Sequence, residues 1–159
     1  MKQITLFRHG KSSWKYPIAD QFRPLNDRGM QQALHMANNC SLLKPELILS
    51  SSAIRAMSTA LIYIDINQLD SKSLSCCSQL YEYDPRRLLN WLADTDEDIE
   101  RLWLFGHNPT FNDLCALLLG YQLDNIVTSG YVVIDINTDS WRELATAKAN
   151  LVEFNNRNL

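Results

Sequence analysis

The sequence predicts a compact α/β fold, a three-layer sandwich whose central sheet is mostly parallel with helices on both faces. Three observations point to it. Short apolar runs of β-forming residues stand at Gln3–Phe7, Leu47–Leu49 and Leu102–Phe105, each followed by a polar turn and then a segment of helical periodicity. Strands that alternate with helices need crossover connections, which give parallel pairs covered on both sides. At 159 residues the chain can bury a sizeable core, and residues 1–159 read as a single domain with no repeat, low-complexity tract or linker to divide it.

The elements follow in order. After the first strand, a polar stretch is broken by Pro17 and Pro24. Asn26 or Asp27 can cap a helix whose apolar positions Met30, Ala33, Leu34, Ala37 and Cys40 keep helical spacing. The second strand runs into Ser50-Ser51-Ser52, one of which is expected to cap a helix over Ala53–Tyr63. A polar, irregular stretch follows, with a short strand near Ser73–Cys76, and Pro85 opens a helix that runs to about Ala93. An acidic connector, Asp94–Glu100, leads to the third apolar strand. Thr110–Leu119 is a nearly all-apolar helix stopped by Gly120. Tyr131–Ile136 and roughly Trp141–Ala147 are expected to close the fold as a hairpin turned at Asn137-Thr138-Asp139.

Bulk properties narrow the function. A formal net charge of −3 argues against nucleic acid as a partner, though it leaves room for a local basic pocket. Only five mostly apolar residues lie between Lys2 and Arg8, too few for the core of a secretory signal. The longest apolar run, Leu114–Leu119, is far short of a membrane span. Cys40, Cys76, Cys77 and Cys115 show no zinc or redox spacing and suit reduced thiols in the cytoplasm.

In open α/β sheets, ligands bind beyond the carboxyl ends of the strands. Three polar motifs fall there: Arg8-His9-Gly10, Ser50 to Arg55, and Gly106-His107-Asn108-Pro109. Taken singly, each has an ordinary reading: a chance tripeptide, a solvated helix arginine, a hydrogen-bonded structural histidine. Three of them at three successive strand ends are harder to dismiss. If the strands are adjacent, Arg8, His9, Arg55 and His107 converge on one pocket. Two guanidiniums offer planar forks suited to a phosphoryl dianion, and Arg55 sits in a helix's first turn, where backbone N–H groups favour anions. Neighbouring cations oppose protonation of an imidazole, so one histidine can stay neutral and act as nucleophile. The other can donate to phosphoryl oxygens as charge builds. Such a site transfers phosphate through a covalent phosphohistidine and calls for no metal or other cofactor. His35 and the Cys76-Cys77 pair lack such context and read as packing, and Trp14 and Trp91 as core or rim.

The three motifs together resemble the histidine phosphatase superfamily, the phosphoglycerate-mutase-like fold. "LFRHGKSSW" is similar to its opening motif, "LSSSAIRAMSTA" to the stretch with its second phosphate-binding arginine, and "LFGHNP" to the segment with its second histidine. With "RPLNDRG" and "TSGYVVIDI" in the right order, the pattern is nearest to the compact SixA-like phosphohistidine phosphatases. Family members often carry Pro where Ser52 stands. The resemblance implies that His9 is the nucleophile, Arg8 and Arg55 are phosphate clamps and His107 is the second electrostatic partner. It points to Glu82 as the acid that protonates the leaving group, with Asp20, from the loop before Arg23, as a rival. Lys11 and Ser12, and the backbone around Ser129-Gly130, are implied to reach the phosphate.

The function expected is a metal-independent phosphatase acting on protein phosphohistidine, and its partner a phosphate-bearing, phosphorylated protein. A small-molecule phosphomonoesterase of the same fold and a catalytically silent phosphate-binding module are the alternatives. A phosphoglycerate-type mutase needs a long insertion that closes over a sugar phosphate, and the spans between Arg55, Glu82 and His107 are too short for such a lid subdomain. A silent binder needs no nucleophile.

Overall fold

The computed structural model describes residues 1–157. It contains six strands, β1 (Lys2–Arg8), β2 (Leu47–Ser51), β3 (Leu74–Cys77), β4 (Arg101–Gly106), β5 (Tyr131–Ile136) and β6 (Ala149–Asn155). Five helices connect them: α1 (Asp27–Asn38), α2 (Ile54–Ile66), α3 (Gln79–Glu82), α4 (Pro85–Leu92) and α5 (Thr110–Leu119). The strands form one sheet in the order β3-β2-β4-β1-β5-β6. No helix among the described residues is long and apolar enough to cross a membrane.

The α/β class holds, but the sheet is mixed rather than mostly parallel. The pairs β2–β3, β2–β4 and β1–β4 are parallel, whereas β5 runs antiparallel to both β1 and β6. Strand–helix alternation predicts parallel pairs only while each strand is followed by a crossover helix. After α5 the chain reaches β5 through residues 120–130 and reverses, and β5 then pairs with β6 as a hairpin.

Strand residues alternate between two apolar clusters. Ile4, Leu6, Leu49, Leu102, Leu104, Val132 and Ile134 join residues of α3, α4 and α5. Phe7, Ile48, Trp103, Phe105, Tyr131 and Val133 join residues of α1 and α2. The period-two alternation of the strands thus meets the helical stripes on either side. In the second cluster Phe7 stacks on Phe105 at 4.5 Å between ring centroids, tying β1 to β4 next to the end of both strands.

Two local expectations fail for identifiable reasons. The second arm of the closing hairpin is β6, not Trp141–Ala147. Trp141 instead lies in a 3-10 turn, fully buried, with its indole N–H on the Ile99 carbonyl at 2.8 Å and its backbone N–H on Glu97 at 2.9 Å. Burying that indole outweighs its strand propensity. The helix after β2 is not capped by a serine hydroxyl. Its cap position is Ala53, and Ser51 Oγ accepts the Ala53 N–H at 3.2 Å one residue too early to serve the first turn. Asn26 does cap α1, accepting from the Gly29 N–H at 2.8 Å.

That first turn of α1 lies directly on the segment that leaves β1. Asn26 N–H donates to the Lys11 carbonyl at 2.9 Å, and a Cβ on Gly29 would fall 2.0 Å from that same oxygen. Only a glycine lets the helix approach so closely, because the obstacle is backbone and cannot swing aside. Gly29→Ala is therefore expected to destabilise the fold by about 2 kcal/mol, as overpacking does, lowering the melting temperature by about 6 °C. A calorimetric scan checks this, and an unchanged melting temperature would show that α1 can shift freely.

Candidate active site

The site lies at the carboxyl ends of β1, β2 and β4. Arg8, the last residue of β1, is in register with Gly106 at the end of β4, and the His9 N–H donates to the Gly106 carbonyl at 3.1 Å. The Ser129 N–H donates to the carbonyls of both Arg8 and His9 at 3.1 Å, from a residue in the left-handed region at φ 62°. These bonds fix the backbone that carries the arginine and the histidine. The Gly10 N–H is held by Thr59 Oγ1 of α2 at 3.1 Å.

His9 is oriented by its own surroundings. Its Nδ1 is 2.6 Å from the Gly10 carbonyl oxygen, which can only accept, so Nδ1 carries the proton. Nε2 keeps its lone pair. Arg55, buried in the first turn of α2, points its Nε–H at that nitrogen from 3.3 Å. The His107 ring lies 5.0 Å from the His9 ring, and His107 Nε2 is 2.7 Å from Ser51 Oγ at the end of β2. Arg8 anchors Nη1 on the Ile126 carbonyl at 2.7 Å, and its Nε is buried without a partner. An unpaired buried donor is costly, and a site that awaits an anion is where it is tolerable.

Burial lowers the pKa of His9 to about 4, with Arg55, Arg8 and Arg23 adding to the effect against the Gly10 hydrogen bond. Burial likewise lowers His107 to about 3, assisted by His9 and Arg55 and opposed by Asp20. Both imidazoles are neutral at physiological pH. Partial desolvation raises Asp20, but hydrogen bonds from Arg55, Tyr81 and Arg23 outweigh it and hold the carboxyl at about 2. Burial also lowers Arg8.

Of the residues singled out in the sequence, Arg8, His9, Arg55 and His107 come together. Asp20 joins them in a 3-10 turn, Asp20–Phe22, with its carboxylate on Arg55 Nη2 at 2.8 Å and on Arg23 Nη1 at 2.9 Å. Ser12 reaches the site indirectly, its Oγ accepting from Arg23 Nη2 at 2.5 Å. Lys11 is exposed, and Glu82 is exposed at the end of α3. Sequence reasoning missed Arg23, Ser51 and Tyr81. Arg23 is 6% exposed, held by Ser12, Ser13 and Asp20, with its guanidinium 3.2 Å from the centre of the Trp14 ring. Its signal was the "RPLNDRG" stretch, which resemblance marked without giving Arg23 a role. Tyr81 donates its hydroxyl to Asp20 at 2.9 Å, and its ring meets the His107 ring edge-on at 5.6 Å. Among the described residues, no cluster of three His, Cys, Asp or Glu side chains is placed to hold a metal ion.

Comparison with known proteins places the chain in a family. Residues 4–85 match the profile of the histidine phosphatase superfamily (branch 1). An uncharacterized protein of Mycobacterium tuberculosis is 25% identical over 159 residues, covering 92% of this chain and 97% of that protein. The structure of a candidate phosphohistidine phosphatase SixA from Agrobacterium tumefaciens superposes with a TM-score of 0.80 at 26% identity, covering 96% of both chains. The protein histidine phosphatase SixA complexed with tungstate gives a TM-score of 0.82 at 22% identity, covering 97% of this chain and 96% of that one. The chain belongs to the histidine phosphatase superfamily and is similar to the SixA group within it. Family and neighbours together support a phosphatase.

The burial of two neutral imidazoles has a measurable consequence. The unfolded chain binds protons on these rings near the ordinary value of 6.5, while the folded site refuses them until about 4 and about 3. Folding stability should therefore fall as pH drops from 6.5 towards 4. By NMR, His9 and His107 of the anion-free protein should keep neutral-ring shifts down to about pH 5. Titration of either ring between about pH 6 and 7 would contradict the buried, neutral assignment.

Proposed function

We propose that the chain is a metal-independent phosphatase that works through a covalent phosphohistidine on His9, with protein phosphohistidine as its substrate. The observation that carries this reading is the state of His9 Nε2: unprotonated, half-buried, and faced by the Arg55 Nε–H at 3.3 Å. A lone pair held in place beside a guanidinium suits attack on phosphorus, because the same cation receives the oxygens of the arriving group.

The reaction then has two displacements. His9 Nε2 forms a bond to phosphorus as the bond to the leaving group breaks, and the leaving group takes a proton. Water next attacks the phosphorus as the N–P bond breaks, its proton passing to the carboxylate that Glu82 became in the first step. Inorganic phosphate, neutral His9 and protonated Glu82 remain. Arg8 and Arg55 balance the charge on the phosphoryl oxygens through both steps, and His107, its ring 5.0 Å from that of His9, donates to them as charge builds. No step requires a metal ion, so activity should survive EDTA. Glu82 is the proton donor in this scheme. Its exposed position fits a role with leaving groups that arrive from solvent, whereas Asp20, held ionised by three donors, has no proton to give.

The substrate assignment rests on access and on the leaving group. Between α2 and β4 the chain provides only a 3-10 turn, β3, α3 and α4, all committed to the sheet or its flank and none free to close over a small sugar phosphate. An open site admits a phosphorylated side chain on another protein. An imidazole leaves readily because its nitrogen protonates near neutral pH, while an alkoxide needs a well-placed acid. The four cysteines are free, which fits work in the reducing cytoplasm.

Glu82→Gln separates the possibilities. We expect kcat/KM for an alkyl phosphate to fall by about a hundredfold, the range for losing a general acid, and that for phosphohistidine by less than about threefold. Steady-state kinetics on both substrates, with and without EDTA, makes the test. Equal losses would remove the leaving-group argument. A strong wild-type preference for a sugar phosphate would favour the small-molecule phosphomonoesterase, and loss of activity in EDTA would overturn metal independence.

A further inference from the structure

We propose that Asp20 is an internal counter-anion, which competes with phosphate for the Arg55 guanidinium and so sets how tightly substrate and product are held. The inference rests on the phosphatase reading of this site. Arg55 has five N–H groups, and only the Nε–H faces His9. The far end is filled by one residue. Nη1 donates to the Asp20 main-chain carbonyl at 2.6 Å, and Nη2 to its carboxylate Oδ2 at 2.8 Å. One carboxylate oxygen and the main-chain carbonyl of Asp20 together occupy the fork that two phosphoryl oxygens would take.

The carboxylate is assembled from several directions. Oδ1 accepts from Arg23 Nη1 at 2.9 Å and Oδ2 also accepts the Tyr81 hydroxyl at 2.9 Å. Its side chain is 49% exposed while those of Arg23 and Arg55 are 8% exposed, so it caps both guanidiniums on their solvent side. The turn that carries it is fastened next to α2, where Gln21 Nε2 donates to Ser52 Oγ at 2.9 Å.

Charge balance shows what this accomplishes. With both imidazoles neutral, Arg8, Arg23 and Arg55 bring three positive charges and Asp20 one negative charge. The remaining two match a phosphate dianion. Without Asp20 the pocket would hold an excess positive charge, and inorganic phosphate would bind as a trap. A site that must release phosphate each cycle gains from a built-in competitor, since binding product too tightly slows turnover.

The test is anion binding, read without turnover. Asp20→Asn keeps the shape of the side chain and removes its charge, and Asp20→Ala removes both. Titration calorimetry with inorganic phosphate and with tungstate, at fixed ionic strength, should give dissociation constants about tenfold lower in both variants. In kinetics the inhibition constant for phosphate and the KM should fall together while kcat does not rise. In an Arg55→Ala background the gain from Asp20→Asn should shrink, because the contested fork is gone. In the wild type, saturating phosphate should shift the Asp20 carboxyl 13C resonance as the Arg55 donors leave it. Unchanged or weaker phosphate binding in folded Asp20 variants would overturn the inference, as would an unmoved Asp20 resonance should those variants fail to fold. Wild-type protein that binds no phosphate at all would instead defeat the phosphatase reading beneath it.

Discussion

The site depends on one constraint of the sheet: β2, β4 and β1 lie side by side, run parallel, and end at the same edge. Ser50 pairs with Phe105 and Arg8 with Gly106, so the residues just past each strand emerge within reach of one another. His9 follows Arg8, His107 follows Gly106, and Ser51 ends β2. The His9 N–H bond to the Gly106 carbonyl locks that register where it matters. A one-residue slip would turn Arg8 or His107 to the opposite face. Gly106 itself must be small, because Phe111 of α5 packs where a side chain would begin, its nearest ring atom 2.6 Å from a Cβ built there.

Burial then does two jobs with the same atoms. It holds the imidazoles neutral, which leaves His9 Nε2 free to bond, and it keeps the guanidiniums out of water, where their charge acts at greater strength. Neither effect would suffice alone. A neutral histidine without cations gives phosphorus nowhere to place its oxygens. Buried cations without a partner are unstable, and here the partner is Asp20, whose carboxylate bridges Arg55 and Arg23. The resting site thus carries its own anion.

Much of this was legible in the sequence because it is local. A short β-forming run followed by Arg-His-Gly shows both a strand and its functional end, and the same holds for "LFGHNP". Arg55 was found because its distance from Leu47–Leu49 places it in the first turn of the next helix. What stayed hidden depends on long-range packing. Nothing near Tyr131 reveals that β5 reverses direction, since strand direction is a property of the connection and of the neighbour. Trp141 favours a strand by propensity and is claimed by a buried pocket next to Ile99. Arg23 and Tyr81 look like surface residues: Arg23 meets Asp20 across a single 3-10 turn that has no sequence period to show it, and the Tyr81 bond to Asp20 joins segments far apart in the chain. The four-residue α3 is too short to show a helical period, yet it carries Tyr81 and Glu82 to the rim.

The most direct measurement of the central claim is the chemistry of the trapped enzyme. Rapid acid-free quenching during turnover of a phosphohistidine substrate, followed by mass spectrometry under alkaline conditions, should find one phosphoryl group on the His9 peptide. The label should be labile in acid, stable in base and absent from His9→Ala. An unlabelled His9 peptide during active turnover, or a label that persists in His9→Ala, would contradict the account.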